Sequence, residues 1–575
     1  MSSNKNFEKL SDFLKNFNIE FSISVDDLEK FSEDTSLFKI RPTVIIFPKS
    51  KNDISKILKF VNQNKNYKIT GRSAGTDMSG GPLTDSIVLS FTKYFNNIIS
   101  INSENKESIV EPGVFYRDFE KETLKHNLLL PTFPASREIC ALGGMISNNS
   151  GGEMSLNYGK TENYILSLES VLSNGEIVNF EKKTIEEVEK FINSEDEYFK
   201  KSLEYKIYKE ILELVSDPKN TEIINRNKPV VSKNSSGYFV WNILSEENGK
   251  KFFDLSKLIV GSQGTLAMVT KIKLKLITPK KYSKMMMIYI KDIHQLGKIR
   301  NVVMKYKPET FESYDDHTFK VAIRFLPAFI KSIFSKDGNV NIFKLAFSFW
   351  KEFILVLSFG LPKLFLLVNF TSDDEKELEK DIENCNLEII NDFKNIKTQL
   401  IETDFEKEKY LNMRRESFNL LRKKSGDLHT APFIDDIIVP GEKLEEFLID
   451  LVPVLDKYKL LYTIAGHVGD GNLHIIPLMN FTDKKIREEN IQTIKDCSHE
   501  VYDLIKKYHG SITGEHNDGL IRTPFLNEMY DEEMLEIFRK IKNIFDENNI
   551  LNPGKKVAIN SDLNKEFENN LKFIK

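Results

Sequence analysis

Apolar positions recur along this chain in two alternating rhythms. The stretch RPTVIIFPKS, residues 41–50, is continuously apolar at its centre and closed by Pro48, which predicts a short buried strand. In the following KNDISKILKFVNQNKN, Ile54, Ile57, Leu58 and Val61 fall at helical spacing. YKIT then predicts a strand that runs into a glycine-rich loop. This β-α-β opening is followed by strand patterns at DSIVLSF, NIISIN and ESIVEPG and by a helix around YRDFEKETLKHNL. Residues 258–279, LIVGSQGTLAMVTKIKLKLITP, predict two strands separated by a turn, and residues 1 to 40 read as short helices ahead of this body.

A second cycle begins near residue 284. KMMMIYI is strand-like, IHQLGKIRNVVMKY helical and ETFESYD strand-like. A basic, aromatic stretch intervenes, and the rhythm resumes with the strand LFLLVNF and the helix DEKELEKDIENCN. A unit interrupted and then resumed predicts an α+β domain carrying an insertion. LLYTIAGHV and LHIIPLM read as a hairpin, REENIQTIKDCSHEVYDLIKKYHG as a long helix, and IFDENNILNPGKKV as a closing tail. No fixed-period repeat and no low-complexity tract breaks the pattern.

At 575 residues the chain exceeds what one hydrophobic core usually supports, so two or more domains are expected. With 40% hydrophobic and 29% charged residues it is globular rather than disordered or fibrous. The net charge of −4, from 81 basic and 85 acidic residues, leaves no basic excess for a nucleic-acid partner. Cys140, Cys385 and Cys497 are scattered, which excludes a disulfide framework and a thiolate-held iron–sulfur cluster. The opening MSSNKNFEKLSDFLKNF lacks the apolar core and cleavage site of a secretory signal, so a cytoplasmic protein is expected. The most apolar region, 343–370, is broken by Lys344, Lys351, Glu352 and Lys363 into runs too short to span a bilayer.

GRSAGTDMSGG, residues 71–81, combines glycines with Ser73, Thr76 and Ser79. Such a loop either forms an anion nest of backbone N–H groups or is an ordinary surface loop. ALGGMISNNSGG (141–152) and GSQGTL (261–266) are two further glycine loops. Neither a Walker A motif nor a GxGxxG opening a helix occurs. Separate glycine loops closing on one large ligand suit an extended dinucleotide.

Taken in order, RPTVIIFPKS, GRSAGTDMSGG, VEPGV, ALGGMISNNSGG, YGKTENYILSLESVLSNGEI, KNSSGY and LIVGSQGTLAMVT resemble the FAD-binding domain of the vanillyl-alcohol oxidase/p-cresol methylhydroxylase superfamily. HVGDGNLH, SITGEHNDG and LNPGK resemble the C-terminal half of its D-lactate, glycolate and D-2-hydroxyglutarate dehydrogenase branch. The resemblance spans about residues 35 to 560. It implies an α+β fold: a two-subdomain FAD-binding domain over 37–280 after a helical segment at 1–36, and a cap domain with an antiparallel sheet over 281–545. The last segment, 546–575, would return to the FAD domain.

Carried over by motif, Arg72, Ser73, Ala74, Gly75, Thr76, Ser79 and Gly80, through Gly81, would cradle the FAD pyrophosphate, with Pro112 beside them. Gly143, Gly144, Ser147, Asn148 and Gly151 would line the FAD channel. Gly261, Gly264, Thr265 and Val269 would flank the nucleotide, and Asn552 would approach the isoalloxazine. The first loop has no histidine where relatives with linked flavin carry one, so non-covalent FAD is expected; Cys140 is read as a packed thiol. Gln263 replaces the usual glutamate, a change expected to matter little in a loop acting through its backbone.

AGHVGDGNLHII, residues 465–476, predicts a hairpin whose loop is GDGN, with Val468 opposite Leu473 and His467 opposite His474. Directly opposed side chains have Cβ atoms about 4.5–5.5 Å apart, so two imidazoles there either converge on one ion or simply pack in the sheet. SITGEHNDG adds Glu515 and His516. The resemblance implies His467, His474 and Glu515 as metal ligands and His516 as the catalytic base. Two histidines and a glutamate with open positions suit zinc, manganese or iron.

The implied reaction is FAD- and metal-dependent oxidation of a D-2-hydroxy acid, lactate-like or 2-hydroxyglutarate-like, to the 2-oxo acid. Arg415 matches a family arginine for the substrate carboxylate; the other reading is a helix-surface arginine, with Arg414 its neighbour. Ile434 stands where the 2-hydroxyglutarate branch has a substrate-engaging lysine, Asn419 replaces a threonine and Ile476 an asparagine, which weakens the case for a distal carboxylate. KNSSGY is followed by about ten extra residues, as in a longer branch whose members often carry an iron–sulfur domain. Without that domain, electrons are expected to leave to a quinone, an electron-transfer protein or a partner subunit. The insertion at 318–362 is either a membrane-surface patch at the inner face of the membrane or a pair of packed cap helices. Three rivals remain: a glycolate oxidase-type flavoprotein subunit, a metal-dependent hydrolase without flavin, and a non-catalytic flavoprotein subunit.

Overall fold

The computed structural model describes residues 2–318, 320, 350–403, 405–411, 413–414, 428–560 and 562–575. Its class is the α+β arrangement expected, built on four sheets.

The β-α-β opening forms as its pattern requires. Strands Val44–Phe47 and Ile69–Arg72 both run parallel to Ile87–Ser90, which lies between them. Helix Lys51–Gln63 supplies the return that parallel strands need. Ser50 and Asp53 close a reciprocal capping box at its start, and Ile54, Ile57, Leu58 and Val61 are buried with Val44, Ile46 and Ile69. Each such burial is worth ~1.5–3 kcal/mol. The N-terminal segment is not helical throughout: Glu20–Ser22 joins this sheet as an antiparallel edge strand.

A five-stranded antiparallel sheet follows, in the order Ile98–Asn102, Glu107–Val110, Met268–Lys275, Ile165–Val171, Ile177–Glu181. Of the two strands expected over 258–279, only Met268–Lys275 is a strand of this sheet. Ser256–Ile259 is a helical turn, because Asp254 Oδ1 accepts from the Ser256 backbone N–H (3.0 Å) and hydroxyl (2.5 Å) and initiates it.

The second half is an eight-stranded sheet in which every pairing is antiparallel. Helices Leu296–Lys305, Glu375–Asp392, Leu444–Lys457 and Lys484–Lys507 cover one face. On the other, Met285, Met287, Phe365 and Leu367 pack with Leu355, Tyr410 and Met413. Covering both faces explains why the predicted strands there are apolar without alternation. Most of the 318–362 insertion lies outside the described residues; its described part includes helix Trp350–Phe359. Among the described residues, no helix is long and apolar enough to cross a membrane. Leu551 bridges to Ile69 of the first sheet, whereas Phe567, Leu571 and Ile574 pack into the core of the second half.

Candidate active site

One cavity of about 940 Å³ runs between the two halves. That is the upper end of the range for small-molecule sites. Its lining includes Arg72–Thr76, Pro112, Gly143, Gly144, Ser147, Asn148, Gly151, Gly264 and Val269 from the first half. Arg414, Asp435, His467, His474, Glu515 and His516 come from the second. Residues more than 400 positions apart in sequence thus face one space.

The glycine side is built by close approach. A Cβ at Gly143 would lie 2.6 Å from Ser73 Oγ, so this glycine lets the second loop touch the first. Gly144 and Gly264 are the reverse case: a Cβ there meets no protein atom within 4 Å and would occupy the cavity itself. Such backbone edges open to a large ligand fit an extended dinucleotide.

Several expected cofactor contacts are differently employed. The Arg72 guanidinium donates to the carbonyls of Phe31 (3.0 Å) and Glu33 (2.6 Å) and braces the N-terminal segment, while the residue still lines the cavity. The Ser79 hydroxyl and the N–H groups of Ser79 and Gly81 all donate to Asp77 Oδ2, so this limb of the loop wraps the protein's own carboxylate. Ser79, Gly80, Gly261 and Thr265 are not among the cavity-lining residues. Asn552 is also off the lining: its amide donates to the carbonyls of Gly81 (3.0 Å) and Gln263 (2.7 Å) and pins two loops together. Gln263 acts through its side chain as well as its backbone. Its amide nitrogen donates to Ser79 Oγ (3.1 Å) and Asn148 Oδ1 (3.3 Å), and its amide oxygen accepts from the Gly519 N–H (2.9 Å). Cys140 lines the cavity but is buried, which pushes its thiol up to about 12.

On the histidine side, the hairpin Leu461–His467/Asn472–Asn480 forms with a register different from that expected. His467 pairs with Asn472 and His474 with Ala465, leaving the loop at 468–471. Gly471 forces this: its φ is +81° and a Cβ would lie 2.2 Å from the Val439 carbonyl. The histidines are therefore diagonal neighbours on one face, with ring centroids 5.2 Å apart, and still converge.

Glu515 stands between them. Its Oε1 is 3.2 Å from His467 Nε2 and 3.5 Å from His474 Nε2. Ligands held ~2.0–2.1 Å from a tetrahedral ion stand ~3.3 Å apart, so the two spacings from Glu515 are of the size a divalent metal needs. One atom each of Asp436, His474, Glu515 and His516 also lies within a 4.8 Å cluster. Asp436 is already spent, however: Oδ2 accepts from the Thr513 hydroxyl (2.6 Å) and the N–H groups of Glu515 (2.8 Å) and His516 (2.7 Å), and Oδ1 from Asn472 (3.1 Å). The chemistry of the donor set favours His467, His474 and Glu515.

Around these lie groups that the motifs did not single out. Glu312 accepts from His467 Nδ1 (2.8 Å) and pairs with Arg414 (2.6 Å). Lys233, of KNSSGY, reaches Glu515 (3.2 Å) and Asp470 (3.3 Å) while fully buried. Asp435 accepts from His474 Nδ1 (3.2 Å) and His516 Nδ1 (2.7 Å). The adjacent aspartates of FIDDIIVP were the available signal for the last of these. Arg415 and Asn419 lie outside the described residues, Ile476 lines the cavity, and Ile434 is buried in the core.

The charges are mutually dependent. Burial opposes ionisation of Glu515, but Lys233 and His467 hold it well below the usual carboxylate range. Burial likewise opposes a charged His474, yet its hydrogen bonds to Asp435 and Glu515 push it up to about 10. His516 is raised by Asp436 and Asp435 against the same desolvation. An ion taking the place of the His474 proton would release it.

Two family models match the chain: "FAD binding domain" over residues 42–181 and "FAD linked oxidases, C-terminal domain" over 281–556. Together they cover most of the chain, which belongs to the FAD-linked oxidases. The curated relatives it matches include proteins named D-2-hydroxyglutarate dehydrogenase and D-lactate dehydrogenase. It is 26% identical over 549 residues to a D-2-hydroxyglutarate dehydrogenase of Haemophilus influenzae, covering 94% of this chain and 50% of that protein. It is 26% identical over 536 residues to a D-lactate dehydrogenase of Archaeoglobus fulgidus, covering 92% of this chain and 96% of that one. The chain spans about half the length of the D-2-hydroxyglutarate dehydrogenases it matches. In structure it resembles p-cresol methylhydroxylase, with a TM-score of 0.67 at 16% identity over 97% of this chain and 98% of that one. That likeness speaks for the fold alone.

Proposed function

We propose that the protein is an FAD- and metal-dependent dehydrogenase that oxidises a D-2-hydroxy acid to the 2-oxo acid. The observation that carries this is the single cavity lined both by the glycine loops and by His467, His474, Glu515 and His516. FAD, when bound, supplies the two-electron acceptor, and a divalent ion supplies Lewis acidity toward the substrate oxygen atoms.

The chain's own residues do the rest. Gly144 and Gly264 leave the backbone open to the dinucleotide, and Gly143 lets the second glycine loop close on the first. His467, His474 and Glu515 would hold the ion, with Glu312 orienting His467 and Lys233 orienting Glu515. His516, whose Nδ1 faces Asp435, presents Nε2 as the acceptor of the hydroxyl proton. Arg414, on the cavity wall, and Arg415 are the cations proposed for the substrate carboxylate. Electrons would leave to a quinone or electron-transfer protein.

Anaerobic mixing with D- and L-2-hydroxy acids tests the reading. Bleaching of the flavin by D-acids, lost on chelation and restored by Zn²⁺ or Mn²⁺, is the expected result. Full bleaching after chelation removes the metal from the mechanism, and no bleaching by any 2-hydroxy acid removes the function.

A further inference from the structure

Asp435 is fully buried, and both carboxylate oxygens are committed to imidazoles: Oδ1 to His474 Nδ1 and Oδ2 to His516 Nδ1. The two rings stack beside it at 5.0 Å with 22° between their planes. Carboxylate oxygens accept hydrogen bonds, so each Nδ1 presents its proton to Asp435, which turns His474 Nε2 toward Glu515 Oε1 at 3.5 Å and leaves His516 Nε2 for other work.

The carboxylate sits on a rigid mount. Buried Arg522 donates to the Asp435 carbonyl (2.6 Å) and to the Asn517 carbonyl (3.0 Å), next to His516 in the chain. The Tyr502 hydroxyl donates to the Phe433 carbonyl (2.8 Å) two residues away. Asp436 cannot stand in, because its oxygens serve Asn472, Thr513 and two backbone N–H groups. Among the described residues, Asp435 is the one carboxylate bonded to both rings.

We propose that Asp435 is a shared positioning residue: it locks His474 and His516 in one tautomer and one relative placement, so that readiness of the metal site and of the base are set together. This rests on the dehydrogenase reading for the two histidines' roles, but not for their geometry. A carboxylate serving one ring would tune one function; this one tunes two. If either ring carried its proton on Nε2, His474 could not ligate through that atom, or His516 could not accept a proton there.

Asp435→Asn keeps the shape and removes one acceptor, so one ring must surrender its Nδ1 proton or its anchor. The first measurement is the ¹⁵N spectrum of histidine-labelled protein stripped of metal and loaded with FAD. Wild type should show protonated Nδ1 on both His474 and His516, assigned by His474→Gln and His516→Gln. The second is titration with Co²⁺ followed by its visible absorption. Asp435→Asn should weaken Co²⁺ by about 10–100-fold and lower kcat by about 10–100-fold, with KM changed less than about 3-fold. FAD content should be unchanged, and Asp435→Glu should recover part of both losses.

Wild-type Co²⁺ affinity in folded Asp435→Asn overturns the proposal. So does a wild-type spectrum with neutral rings protonated at Nε2, a readout that survives even if the variant does not fold. Should wild type oxidise no 2-hydroxy acid, the functional reading fails while the nitrogen shifts and the Co²⁺ titration still decide the role of Asp435.

Discussion

On one wall of the cavity the working surface is backbone, bared by Gly144 and Gly264; on the other it is the side chains of Asp435, His467, His474, Glu515 and His516, interlocked with one another and with Glu312 behind them. The backbone wall depends on what is missing. It tolerates changes of polarity but not added bulk, because any Cβ takes the ligand's space. The charged wall depends on what is present. Every group there neutralises or orients another, so deletion of one leaves a partner buried and uncompensated. Bulk should therefore damage only the first wall and charge deletion only the second.

The largest effect is expected from His516→Ala. It should lower kcat for flavin bleaching by ~10²–10⁴-fold while FAD and metal contents stay at wild-type levels. Stopped-flow bleaching within tenfold of wild type would move the base elsewhere. Glu515→Ala comes next, since it strips the metal and leaves Lys233 facing Asp470 alone. A stability loss of ~3–5 kcal/mol in urea unfolding is expected, together with loss of bound metal in elemental analysis. Unchanged metal stoichiometry would break the comparison at its centre.

Gly144→Val adds bulk to the open wall. FAD affinity, measured by fluorescence quenching on the apoprotein, should weaken by ~100-fold or about 2.7 kcal/mol, with metal content intact. Equal loss of both cofactors would show that the walls are not separable.

The last prediction leaves both walls untouched and concerns the stability contributed by Asp34, buried beneath the first loop. Burial, and then the charge of Asp77, push its carboxyl up to about 7. Because the folded-state value lies above the unfolded one, its contribution to stability is present at low pH and is lost as pH rises from about 4 through 7. Asp34→Asn should remove this dependence and be the more stable form by a few kcal/mol at pH 8, less than 1 at pH 4. Parallel unfolding curves for the two proteins across that range would contradict it.

The elements of the fold were legible wherever one periodicity ruled. Helix Lys51–Gln63 and strands Val44–Phe47 and Leu364–Ser372 fall where their apolar spacing places them. The site was legible as motifs: the glycine loops, the paired histidines and GEH all border the same cavity. The hairpin register was not, because Gly471 shifts the loop by contact with the distant Val439 carbonyl. Nor was the bracing by Arg72 and Asn552, since both donate to carbonyls far away in the chain or in another loop.

By itself, then, the amino-acid sequence determined the kinds of chemistry available: glycines that bare backbone, and imidazoles and a carboxylate of the types proposed here as ligands and base. Those follow from residue type and short spacing, which are local properties. Only the tertiary structure decided which polar groups face the cavity and which serve the protein. Asp435 and Lys233 were ordinary charged residues until burial left them no solvent. Once buried, they needed partners within reach, and the fold supplies His474 and His516 to Asp435 and Glu515 and Asp470 to Lys233.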